Sequence, residues 1–153
     1  MINIAHIHPM LVHFPLALLP VALAAQMLAM YKGENLFSRH CLASSAVSLI
    51  FLAALGAIVA AVFGDMALDQ AVAAGVPADL LETHEDLGQL SAILISTLSV
   101  FEIWFYFKQT TSSTINWITL LAGMLVFAVV ITTAWFGGHL VYDLGVNVSH
   151  TLH

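Results

Sequence analysis

Four long apolar runs, almost free of charge, leave this chain few folds to choose from. They cover residues 9–31, 41–64, 87–107 and 115–140, and the helices built on them are expected over 9–31, 41–64, 83–107 and 115–140. Each holds about the 20 apolar residues that cross a bilayer as a helix. The first is broken only by His13 and Gln26, and the second carries no charge. The third has Glu102 inside its apolar stretch, and the fourth has His139 near its end. A helix satisfies its own backbone donors and acceptors, which hydrocarbon cannot do for it. A membrane barrel would show alternating segments of about ten residues instead, and the sequence has none. The pattern predicts an all-α integral membrane protein: a single-domain four-helix bundle running up-down-up-down.

The charge count supports this. Charged residues make up 8% of the chain, where a soluble domain carries roughly a quarter. The three Lys and Arg side chains cannot line a groove for DNA or RNA, so nucleic acid is excluded as a partner and the lipid bilayer is expected. A soluble enzyme is excluded on the same ground. Cys41 is the sole cysteine, which rules out an intrachain disulfide framework and a Cys-based metal cage. The first run has no positive residue before it and is too long for a signal peptide, so it is expected to remain as a span.

Charge placement predicts an orientation. Lys32, Arg39 and Lys108 all fall in the loops after helices one and three. The positive-inside rule makes that side cytoplasmic. Asp65, Asp69, Asp79, Glu82, Glu85, Asp86 and Asp143 collect on the other side. Both termini and the 65–82 segment are then periplasmic, in a multi-pass protein of a bacterial inner membrane. Pro9 suits the first position of helix one, where no N–H is needed. Thr83 with Asp86 three residues on reads as the cap that starts helix three. The 65–82 segment reads as a partly helical connector, or as a helix lying on the membrane surface.

The histidines point to chemistry. Of eight, only His40 belongs to the cytoplasmic side. His6, His8 and His13 open helix one, His84 opens helix three, and His139 closes helix four. Two helices run inward and one outward, so these groups meet at one depth. His13 lies four residues beyond Pro9, roughly 6 Å down at 1.5 Å per residue. Neutral imidazoles on facing helices are how a bundle holds a transition metal. Haem b needs two imidazole nitrogens about 4 Å apart across its ring. It also needs small residues where the porphyrin meets backbone. Gly88 lies one turn after His84, Gly137 and Gly138 precede His139, and Gly64 ends helix two; all equally suit close helix packing. His13 and His84 are the first-choice axial pair. His8 and His139 are alternates, or ligands of a second haem. Copper or zinc is the alternative metal, and Asp65 is placed to orient a ligand imidazole or to bind metal directly. His150 and His153 read as a solvated tail. Glu102 sits among Phe101, Trp104, Phe105 and Tyr106, which read first as an interfacial belt and second as a quinone-stacking surface.

The segments HPMLVHFPLALLP (8–20), the Gly64–Asp65 pair, the His84 start of helix three and GGHLVYDLGV (137–146) resemble the bacterial membrane family called domain of unknown function 2231. The resemblance covers nearly the whole chain and carries His8, His13 and His84. Fusion of some relatives to Rieske or cytochrome c domains implies electron transfer at the outer face. Relatives have a late His where Leu144 stands here, so His139 rests on the depth argument alone.

These readings combine into an expected role. The chain is a b-type cytochrome or haem-binding subunit with its haem near the periplasmic face. It exchanges electrons between the quinone pool and a cytochrome c or Rieske carrier, as an electron-transfer subunit of a homo- or hetero-oligomeric complex rather than a stand-alone enzyme. With only His40 on the inner face, it does not conduct across the bilayer alone. The acidic outer rim suits a basic carrier. A membrane metal-binding or transport protein and a cofactor-free structural subunit are the alternatives.

Overall fold

A computed structural model describes residues 4–146 of the chain. They form five helices: α1 (Ile4–Leu11), α2 (His13–Tyr31), α3 (Cys41–Ala73), α4 (Ala78–Lys108) and α5 (Ser113–Tyr142). No strand occurs among the described residues. Four helical stretches are long and apolar enough to span a membrane, the first of them Ile7–Tyr31, running across the α1–α2 boundary. The all-helical, four-span architecture expected from the sequence is therefore present.

The bundle is a ring. α2 packs on α3, α3 on α4 and α4 on α5, and α5 closes back on α2 along the lightest seam. α3 is the central plank. Its buried face reads Ala43, Ala46, Ile50, Ala53, Ala57, Ala60, Ala67 and Ala71, a helical period of small side chains that lets neighbouring backbones approach, as membrane helix interfaces require. Leu19, Leu23, Ile50, Ile95, Leu98 and Leu120 fill the middle of the bundle. Large apolar side chains such as Leu125, Val100 and Ile93 point outward, which is costly in water and favourable against lipid tails.

The helix boundaries depart from the sequence reading in three places. Pro9 does not start helix one: α1 begins at Ile4 and Pro9 lies inside it. The ladder breaks instead at Val12, whose backbone stays near helical (φ −62°, ψ −21°). Pro15, which cannot donate to the Leu11 carbonyl, accounts for the break. Helix three starts at Ala78 rather than at Thr83, so Thr83 and Asp86 lie within a helix and cap nothing. The connector shrinks from 65–82 to residues 74–77, because α3 continues to Ala73. Gly75 adopts φ +96°, the left-handed conformation that ends helices, and Pro77 then sets the start of α4. At 33 residues, α3 is roughly 50 Å long, against a hydrocarbon thickness of about 30 Å. The α3–α4 hairpin therefore projects past the membrane, sealed by Ala71, Leu81, Leu140 and Val146.

At the opposite end, Lys108 lies over the Trp104 ring and Arg39 over Tyr106, at 5.1 and 5.5 Å. Glu102 does not snorkel. It is fully buried, and Gln26 Nε2 donates to its Oε1 at 2.8 Å, joining α2 to α4.

Candidate functional site

Two histidines from different helices face one another at the acidic end. His8 on α1 and His84 on α4 have ring centroids 6.2 Å apart and planes inclined by 77°. Each is held by a third helix in the same way. The Nδ1–H of His8 donates to the Ala60 carbonyl on α3 at 2.8 Å. The Nδ1–H of His84 donates to the Thr133 carbonyl on α5 at 3.2 Å. A carbonyl can only accept, so both rings carry a proton on Nδ1, which leaves Nε2 as the nitrogen with the lone pair in a neutral ring.

Glycines make these contacts reachable. A helix carbonyl is normally shielded by the side chain four residues on, and here those positions are Gly64 and Gly137. A Cβ on Gly64 would come within 3.0 Å of His8 Cε1, and one on Gly137 within 2.8 Å of His84 Cε1. Each imidazole therefore lies in a notch that any larger residue would fill. His84 has further support. Ser91 donates to Thr133 Oγ1 at 2.9 Å, and the Thr133 hydroxyl in turn reaches the Leu87 and Val129 carbonyls at 3.1 and 2.9 Å. This stitches α4 to α5 directly below His84.

The two rings border a cavity of about 390 Å³, otherwise lined mainly by apolar side chains and by Gly64, Gly88 and Gly137. That volume is in the range of small-molecule and cofactor sites. A Cβ on Gly88 would meet nothing within 4 Å, so this glycine opens onto space rather than enabling a contact. Across the cavity, among the described residues no Cα of α1 comes within 8 Å of α4 or α5, and α1 and α4 approach through the histidine rings.

The other expected site residues are placed differently. His13 is exposed at the cavity, and its Nδ1–H turns back to the Pro9 carbonyl. The partner that the fold brings to His84 is His8, not His13. The reason is angular: five residues of helix rotate a side chain by roughly 140°, so histidines of one layer need not share a face. His139 points outward, stacked on Trp135, with its Nδ1–H donating to Asp143 Oδ2 at 2.6 Å. Asp65 is exposed at the cavity, and the acceptor for the His8 Nδ1–H is the Ala60 carbonyl. Gly138 makes only an ordinary contact with Tyr142. Among the described residues no three His, Cys, Asp or Glu side chains gather as a metal set. His150 and His153 lie outside the described residues.

Sequence reasoning missed Ala60, Thr133 and Ser91. The first contributes only backbone, which no residue type advertises. Thr133 and Ser91 had a legible signal, hydroxyls on apolar helices at facing depths.

The family model described as predicted membrane protein (DUF2231) matches residues 5–150. The chain belongs to that family, and with its four spans it is a multi-pass membrane protein in contact with lipid. No curated protein and no solved structure matches it.

Proposed function

We propose that this member of the family is a b-type cytochrome whose haem is held between His8 and His84. The supporting observation is the pair itself: two imidazoles, each anchored through Nδ1–H to a neighbouring helix, side by side at the wall of a cavity. Two iron–nitrogen bonds of about 2 Å, with each ring centre roughly 1 Å beyond its nitrogen, separate the centroids of an axial pair by roughly 6 Å. The observed separation is 6.2 Å. Two protein ligands suffice here because a porphyrin brings four nitrogens of its own. Gly64 and Gly137 hold the rings in register, and Gly88 leaves room beside His84. The Ala60 and Thr133 carbonyls fix the tautomer and raise the basicity of Nε2, the usual outer-shell role at a metal-bound imidazole.

When bound, haem iron supplies a one-electron couple. The residues around it set where electrons enter and leave. The pair lies at the acidic end, opposite Lys32, Arg39 and Lys108. By the positive-inside rule this end is periplasmic in a bacterial inner membrane. The carboxylates of the projecting hairpin then face a basic periplasmic carrier of the cytochrome c type, or a Rieske partner in a larger complex. Membrane quinol would deliver electrons from the lipid around the bundle.

A dithionite-reduced minus oxidised visible spectrum of the purified protein in mild detergent, with metal analysis of the same sample, tests this reading. A sharp α band with an intense Soret peak is expected. A colourless protein with stoichiometric copper or zinc would replace haem by a His-based metal site. A colourless and metal-free protein from haem-replete cells would leave a structural subunit.

A further inference from the structure

The two imidazoles are not held equally. His84 sits in a 31-residue continuous helix packed between α3 and α5, and its acceptor residue Thr133 is tied to α4 by the Ser91 hydroxyl. His8 sits on an eight-residue segment whose backbone packs on α3 and continues into α2; among the described residues it brings no Cα within 8 Å of α4 or α5, and it reaches α4 through the His8 ring. That segment joins α2 across the break at Val12, with Pro9 on one side and Pro15 on the other. Its acceptor, Ala60, has no hydroxyl to stitch helices together. On the side away from α3, among the described residues no Cα of α1 lies within 8 Å of α5, and the His8 ring borders the cavity. Each ring gives up one hydrogen bond on withdrawing, to Ala60 or to Thr133; what differs is the backbone behind it, a long helix tied to α5 through Ser91 for His84 and a short segment flanked by two prolines for His8.

We propose that His8 is the exchangeable ligand of the pair, so that iron held by His84 takes up a small neutral diatomic molecule, of the carbon monoxide or nitric oxide class, at the position His8 vacates. This is a ligand exchange: one coordinate bond breaks, one forms, and no electron or proton is transferred. It rests on the haem reading above and gives the site a second capacity beside electron transfer, the binding of a gas. The apolar lining of the cavity suits an uncharged ligand that partitions from lipid.

The test is carbon monoxide added to the dithionite-reduced, detergent-purified full chain, followed by visible spectroscopy for the wild type, His8→Ala, His84→Ala and Gly64→Ala. Wild type is expected to shift its Soret band at a rate that saturates with carbon monoxide, because release of His8 limits it. His8→Ala should keep its haem and bind roughly tenfold or more tightly, since the competent fraction no longer limits apparent affinity. Gly64→Ala, which pushes on the His8 ring without removing it, should move the same way and guards against a His8→Ala protein that fails to fold. His84→Ala should lose the haem. A haem-loaded wild type that ignores carbon monoxide would overturn the inference while leaving the cytochrome intact, as would retention of haem by His84→Ala with loss in His8→Ala. A wild type with no haem would overturn both.

Discussion

At the cation-bearing end of the bundle, Gln26 and Glu102 meet across 2.8 Å with relative exposures of 1% and 0%. At the acidic end, His8 and His84 are each bonded through Nδ1 to a neighbouring helix, and both border a cavity. Both are polar pairs in an apolar bundle, and both join helices. The first is enclosed by packing, as interhelical polar contacts in membranes usually are. The second is braced from behind and open in front, as ligand sites usually are. A buried polar pair in this chain is therefore not by itself a candidate site; a pair that borders a cavity is.

Substitutions can break or sharpen that contrast. The largest effect is expected from the histidines. His84→Ala should abolish the haem spectrum while the protein still inserts, whereas His13→Ala should leave the band positions unchanged; identical spectra for the two variants would undo the pair assigned here. Next come the glycines. Gly137→Ala drives a methyl to 2.8 Å from His84 Cε1 and should cost about 1–3 kcal/mol by overpacking, read as a lower melting temperature in detergent. Gly88→Ala meets open space and should stay within about 0.5 kcal/mol of wild type. Equal melting temperatures for the two would show that the notch is not tight. At the closed end, Glu102→Ala strands the buried Gln26 amide and should cost about 1–2 kcal/mol. The smallest shift belongs to Glu102→Gln, which keeps an acceptor for Gln26 and removes an oxygen that already lacks a partner. A Gln variant as unstable as the Ala variant would assign that carboxyl a role beyond joining helices.

Part of this was legible without a structure. Four long apolar runs, nearly free of charge, could only become spanning helices, because hydrocarbon offers backbone groups no other partner. The alternation of inward and outward spans then placed the histidines in one layer and the cations at the other end. Gly75 and Pro77 also carried the true start of α4, but Thr83 with Asp86 imitated a cap more strongly than that turn signalled a stop. The length of α3 was hidden for a related reason. Asp65 and Asp69 look like the end of a span, yet a helix that leaves the membrane has no cause to stop while its residues still favour helix.

Composition and hydropathy thus determined the class of the protein, the number of spans and the depth of each polar group. These depend on free energies of transfer and on 1.5 Å of rise per residue, both local properties. Only the tertiary structure decided which histidines meet. Depth fixes a layer, while the face a side chain presents depends on helix rotation and on which neighbours approach. The close approaches at Gly64 and Gly137 turned His8 and His84 toward each other and left His13 and His139 outside the pair. The likeness of the two notches, an imidazole on a carbonyl four residues before a glycine, was invisible in a sequence with no obvious internal repeat. It rests on backbone atoms that every residue shares, and packing alone selects which of them are used.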